Sequence, residues 1–154
     1  MLRPLSKADC PSLKEINDKA LGYCVSLDLV ESQFERLIDD GHHYFLAYAD
    51  KDTNQLLGYV HAERYETLYA SDGLNVLGLG LGLAVLPAYQ RRGIGSALLR
   101  ALESQAKQEG IAFIRLNSAS HRKEAHAFYR NLDYADDKTQ LRFIKNLQGD
   151  DNDF

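Results

Sequence analysis

The residues Gln90-Arg91-Arg92-Gly93-Ile94-Gly95-Ser96 have the types and spacing of an anion cradle. An apolar run, Leu83-Ala84-Val85-Leu86-Pro87, leads into them, and a helix-patterned stretch ending near Gly110 follows. The first amides of a helix have no intrahelical partner, so several donors point at one spot. The helix dipole adds partial positive charge there. Gly93 and Gly95 remove side chains that would block a phosphate, and Arg91 and Arg92 add charge beside it. The competing reading is a strand-to-helix turn that needs glycine for its backbone angles, with both arginines in solvent. Two familiar phosphate motifs are excluded. No Gly-Lys-Ser/Thr follows, and the third glycine of the dinucleotide fingerprint is missing.

The elements that position this segment follow from periodicity. Met1 to Leu5 reads as a first strand. Asp9 is placed to cap a helix carrying Pro11 in its first turn and Leu13, Ile16, Ala20 and Leu21 on one stripe. Val30, Phe34, Leu37 and Ile38 mark a second helix that Gly41 stops. His43 to Ala49 and Leu56 to Tyr65 are strands around a polar turn, and Glu66 to Gly73 is a loop. Asn75 to Leu86 reads as a strand whose leucines at 77, 79, 81 and 83 alternate with glycines. A slip of two residues keeps every leucine on its face, so the pattern specifies register weakly. Ile94, Ala97, Leu98, Ala101 and Leu102 form one helical stripe. Ile111 to Asn117 is a strand, and Ser118 or Ser120 is a candidate cap for the next helix. That helix carries Ala125, Phe128, Tyr129 and Leu132 at i, i+3, i+4 and i+7. Lys138 to Asn146 is a last strand, and the acidic stretch 148–154 frays.

The chain has 154 residues, 45% hydrophobic and 26% charged, which suits one domain over 1–147 with one core. A net charge of -4 gives no general attraction to nucleic acid. No metal-ligand spacing is present, so no metal is expected. The apolar run from Leu74 to Pro87 is too short for a membrane helix, and the N-terminus has no cleavable signal pattern. Two cysteines, Cys10 and Cys24, read as reduced thiols of a cytoplasmic protein in preference to a disulfide.

Gln90-Arg91-Arg92-Gly93-Ile94-Gly95 resembles the Q/R-x-x-G-x-G/A signature of the GNAT superfamily of acyl-CoA-dependent N-acyltransferases. Ala125-His126-Ala127-Phe128-Tyr129-Arg130-Asn131-Leu132-Asp133-Tyr134 is similar to that family's A-x-x-F-Y-x-x-x-G-F/Y segment, and Leu2-Arg3-Pro4-Leu5 with Asp9 resembles its usual opening. The resemblance implies an α/β (α+β) fold: a mixed, mostly antiparallel sheet with helices on both faces and splayed central strands. It implies acetyl transfer from acetyl-CoA to a primary amine of a small molecule or peptide, by direct attack in a ternary complex. The pantetheine arm would pair with the backbone of Leu83, Ala84 and Val85. The pyrophosphate would sit on Arg91, Arg92, Gly93, Ile94, Gly95 and Ser96. Tyr129 matches the family's tyrosine acid, whose phenol, with a pKa of about 10, stays protonated at neutral pH. Its alternative is a place in the apolar stripe.

The base is less clear from the resemblance. The strand before the glycine turn has no carboxylate, and Asn117 stands where other relatives carry one. Glu63 is the candidate base, with His61 beside it on the same face by alternation; solvated polar positions, or an amine that binds already neutral, are the alternatives. Arg122 stands where many relatives have Asn; it either reaches a phosphate or is solvated. Asp133 replaces the family's glycine after the helix. Asp28, Glu31, Glu35, Asp39 and Asp40 would steer a cationic acceptor, although a solvated helix face accounts for them equally. Tyr65 and Tyr69 suit the acceptor pocket or a homodimer contact. A non-catalytic acyl-CoA-binding sensor or interaction module is the reading from another functional class.

Overall fold

Two long strands carry the centre of the sheet. β2 (His43–Ala49) and β3 (Leu56–Tyr65) pair antiparallel, at the bounds that their alternation predicts. The hairpin is irregular at Tyr48/Ala49, where the register shifts by one. β1 (Leu2–Arg3) adds to β2, and β4 (Gly73–Leu77) adds to β3, both antiparallel. β5 (Phe113–Arg115) joins β4 in parallel and ends the sheet, whose order is β1-β2-β3-β4-β5. The computed structural model describes residues 1–77 and 84–149.

Helices cover both faces. α1 (Cys10–Ile16), continued by a π turn over Asn17–Leu21, and α2 (Leu27–Leu37) lie over the face that carries Phe45, Tyr59 and His61. There the Tyr59 hydroxyl donates to Asn17 Oδ1 at 2.5 Å. α3 (Ile94–Gln108) lies over the other face, where Tyr44 donates to Glu109 just past its end. Leu98, Leu99 and Leu102 of α3 are fully buried with Val60, Leu74 and Val85. Each such side chain adds about 1.5–3 kcal/mol of burial. α4 (Lys123–Asn131) buries Ala125 and Tyr129. The fold is thus mixed α/β with a mostly antiparallel sheet and helices on both faces.

β3 has two partners on one side. His61 to Tyr65 pair with β4, whereas Gly58 faces Val85, with Tyr59 N–H donating to Ala84 O and Leu86 N–H to Leu57 O. A Cβ on Gly58 would come within 3.0 Å of Val85 Cγ2 and 3.1 Å of Ala84 O, so glycine is what lets segment 84–86 approach. The Leu-Gly alternation expected across 78–83, and Leu83 with it, lies outside the described residues.

Four local expectations are corrected. Lys138 to Asn146 is not a strand: no ladder pairing joins it to the described residues, and Leu141 and Phe143 are 82% and 89% exposed. A two-residue period builds a strand only where a ladder partner exists, and β5 is the last one in the sheet. Asp9 does not cap α1 through its carboxylate; that group accepts from Ser6 N–H and takes a bidentate pair from Arg3 at 2.8 Å. The Arg3 and Ser6 bonds oppose the burial of that carboxyl and hold it below the usual carboxylate range. Neither Ser118 nor Ser120 caps α4; Arg122 occupies the N-cap without a side-chain bond. The strand expected over 111–117 is reduced to Phe113–Arg115.

Gly73 sets the β4–β5 spacing, because a Cβ there would run into the Phe113 ring. Gly73→Ala should therefore destabilise the protein by about 1–3 kcal/mol in urea unfolding. Adding Phe113→Leu should recover part of that loss; no recovery would place the strain elsewhere.

Candidate active site

The glycine turn has the geometry of an open cradle. Gly93 is the N-cap of α3 at φ +80, and Arg91 is also left-handed at φ +65. A Cβ at Gly93 would meet no atom within 4 Å among the described residues, which leaves room at the turn for a ligand. The first helical closure is Ala97 N–H to Gly93 O, which leaves the amides of Ile94, Gly95 and Ser96 ahead of it. Arg92 lies over the Tyr89 ring at 5.2 Å, and Arg91 reaches Glu124 at 3.2 Å, with both ends of that pair mostly in solvent. The Arg91–Glu124 contact brings the N-terminal ends of α3 and α4 side by side.

The strand before the turn offers one aimed main-chain group. Ala84 O is taken by Tyr59 N–H, so the polar groups of Ala84 face β3. Val85, next in the alternation, directs its N–H and carbonyl away from β3. Its carbonyl accepts from Gln90 Nε2 at 3.1 Å, which ties the strand end to the glycine turn. Val85 is thus the residue of this segment whose main-chain groups face away from β3, and Ala84 contributes buried packing.

Tyr129 is 6% exposed, in edge contact with Phe128 and Tyr134. Burial pushes its phenol up to about 12, and the Arg122 charge opposes that. Arg122 is the N-cap of α4. The turn after α4 closes with Asp133 at φ +67, its N–H donating to Arg130 O and Tyr134 N–H to Tyr129 O. Aspartate thus adopts the left-handed conformation for which glycine is the usual residue.

On the face under α1 and α2, β2 and β3 bring together groups that the sequence only half showed. Glu63 and His61 share this face, as alternation predicts, and His43 of β2 stands opposite Glu63. His43 Nδ1 lies 2.9 Å from His61 Nε2, and His43 Nε2 lies 3.9 Å from Glu63 Oε2. Burial, with the neighbouring His43, lowers the His61 imidazole to about 4. Asn75 of β4 is opposite Glu63, and its Oδ1 is buried without a hydrogen-bond partner among the described residues. His43 and Asn75 were not among the candidates. A hollow of about 190 Å³ opens on this face between Phe34, Leu37, Phe45, Tyr59 and His61. A second, of about 350 Å³, has Asp39, Asp40 and His43 in its wall. Among the described residues no cluster of His, Cys, Asp and Glu could hold a metal ion, and no helix is long and apolar enough to cross a membrane.

Comparison with known proteins identifies the family and the fold. The model of the acetyltransferase (GNAT) family matches residues 10–134. The chain is 30% identical over 122 residues to an aminoglycoside N(6')-acetyltransferase type 1 of Acinetobacter baumannii, covering 78% of this chain and 82% of that one. It is 31% identical over 111 residues to an aminoalkylphosphonate N-acetyltransferase of Salmonella typhimurium, covering 72% and 67%. Among solved structures, AAC(6')-Iy in complex with the bisubstrate analog CoA-S-monomethyl-acetylneamine superposes with a TM-score of 0.78 at 13% identity, covering 95% of this chain and 97% of that one.

The cradle predicts a ligand-dependent defect. Gly93→Val should cost about 1–2 kcal/mol of stability, because it forces a branched residue to the left-handed conformation. It should also weaken coenzyme A far more than a bare pantetheine thioester in calorimetry, since only the longer ligand reaches the helix end. Equal loss for both would show that the substitution acts through the fold alone.

Proposed function

The chain belongs to the acetyltransferase (GNAT) family and is an acetyltransferase, and on that premise we propose that it moves the acetyl group of acetyl-CoA to a primary amine of a small molecule or peptide in a ternary complex. The observation that carries the reading is Tyr129: a buried phenol, held protonated, on the helix whose N-terminal end Arg91 reaches through Glu124. The amine lone pair adds to the thioester carbonyl carbon. The intermediate then expels the coenzyme A sulfur as the amide forms. A departing thiolate of pKa about 8.5 is stabilised by a proton, and the Tyr129 hydroxyl supplies it. The N–H of Val85 supports the pantetheine arm, with Ala84 and Leu83 leading into it. The amides from Arg91 to Ser96 hold the pyrophosphate, and Arg122 adds positive charge near the sulfur. Glu63 is the carboxylate that finally takes the amine proton.

The acceptor reading rests on charge and on the relatives. Asp39 and Asp40 in the wall of the larger hollow favour a cationic amine. The relatives' names, an aminoglycoside and an aminoalkylphosphonate acetyltransferase, both denote amine acceptors on small molecules. Free Cys10 and Cys24 fit a reducing cytoplasm.

A homodimer also has a surface to support it. Leu141, Phe143 and Leu147 are more than four-fifths exposed, and the outer edge of β5 has no strand beside it among the described residues. Exposed apolar segments and open edges of this kind mark association sites. Light scattering should report a dimer for the wild-type chain and a monomer for Leu141→Glu with Phe143→Glu. A wild-type monomer would refute the pairing.

Tyr129→Phe keeps the ring between Phe128 and Tyr134 and removes only the hydroxyl. Single-turnover acetyl transfer should fall roughly a hundredfold or more, the range of a lost general acid. Affinity for acetyl-CoA and the melting temperature should stay close to wild type. A wild-type single-turnover rate would return Tyr129 to a packing role.

A further inference from the structure

We propose that His61 receives the proton of the attacking amine and passes it through His43 to Glu63, so that three side chains on two strands act as one proton relay. The proposal rests on the acetyl-transfer reading above and replaces direct proton removal by Glu63 with a path.

Register creates the chain of groups. His43 is opposite Glu63, and Phe45 is opposite His61, so all four side chains share the face beneath α1 and α2. Phe45 stacks on the His61 ring at 4.3 Å with the planes 17° apart, which fixes the orientation of that ring. The 2.9 Å contact between His43 Nδ1 and His61 Nε2 requires one nitrogen to donate and the other to accept. Glu63 decides which. Its carboxylate, 3.9 Å from His43 Nε2, favours a proton on that nitrogen, either through attraction or through one bridging water. His43 Nδ1 then accepts, His61 Nε2 donates, and His61 Nδ1 keeps a free lone pair.

Two further observations support an amine at that lone pair. His61 lines the hollow under α2. Asn75, across from Glu63, has a buried oxygen that lacks a donor among the described residues, and an amine N–H supplies one. Burial keeps the His61 imidazole neutral at physiological pH, so its lone pair is available.

The proton balance closes. As the C–N bond forms, the amine N–H pair stays on nitrogen and the proton goes to His61 Nδ1. The His61 Nε2 proton moves to His43 Nδ1, and the His43 Nε2 proton moves to the Glu63 carboxylate. Glu63 is 47% exposed and releases it to solvent. His61 touches the amine and is the catalytic residue; His43 acts through it.

The test is single-turnover acetyl transfer with saturating acetyl-CoA and a panel of primary amines. His43→Phe keeps a ring against Phe45 and removes both nitrogens; it should lower the rate roughly tenfold to a hundredfold. KM for acetyl-CoA should stay within about twofold, because a relay acts on chemistry and not on uniform binding. His61→Ala should lose at least as much and regain rate with added imidazole, but not with pyrazole, a ring of the same size that is a weaker base. A wild-type rate in His43→Phe overturns the relay, as does equal rescue by both rings, which would mean cavity filling. If His61→Ala does not fold, His43→Phe decides alone. Absence of transfer by the wild-type enzyme to every amine would overturn the acetyl-transfer reading, and the relay with it.

Discussion

The candidate site depends on β3 holding two different partners along one edge. A buried strand must pair its amides and carbonyls, and β3 does so with β4 over His61 to Tyr65 and with segment 84–86 around Gly58. The second pairing does more than satisfy β3. Because Ala84 O and Leu86 N–H are committed inward, Val85 must direct its own polar groups outward. The same segment delivers Gln90 back onto the Val85 carbonyl, and so fixes where the glycine turn begins. Gly58 is the residue that allows this, since any side chain there would press on Val85.

The cradle is the second consequence. Its two left-handed residues, Arg91 and Gly93, reverse the chain between strand and helix so that α3 starts with its amides facing open space. Arginine in that conformation is strained by about 1–2 kcal/mol relative to the right-handed region. The burial of Leu98, Leu99 and Leu102 along α3 offsets it. The Arg91–Glu124 pair is too exposed to add much stability, and its importance lies in showing how close α4 comes. That approach puts the N-terminal end of α4, with Arg122 as its cap, beside the cradle.

How much of this was legible in the residues varies with the physics of each feature. β2 and β3 were readable to their ends, because a two-residue period flanked by a polar turn has few other solutions. The cradle was readable because glycine spacing reports backbone angles directly. His43 was not. Extending the turn-proximal pairing of Ala49 with Leu56 would set His43 against Ala62, on the face away from His61. The irregularity at Tyr48/Ala49 moves it opposite Glu63 instead, and a one-residue shift of this kind leaves no mark in composition. Segment 138–146 failed for the opposite reason. Its pattern is that of a strand, but a strand is a property of two segments, and none of the described residues pairs with it in a ladder.

Burial puts two of the proposed groups into complementary states. Desolvation disfavours the charged form of any group. For the Tyr129 phenol the charged form is the deprotonated one, so burial raises it and keeps a proton on oxygen to give. For the His61 imidazole the charged form is the protonated one, so burial lowers it and keeps a lone pair on nitrogen to accept. One physical effect therefore keeps a proton on the Tyr129 oxygen and a lone pair on a His61 nitrogen, without either group carrying charge at neutral pH. The cost falls on folding at low pH. Below the ordinary imidazole value of about 6.5, the unfolded chain binds a proton at this position that the folded chain refuses until about 4. His61 thus withdraws stability as pH falls through that window. A polar pair placed in the sheet interior only for packing would be better replaced by apolar residues. The proposed relay gives His61 and His43, beside the 4.3 Å stack of Phe45 on His61, a use there that packing alone does not.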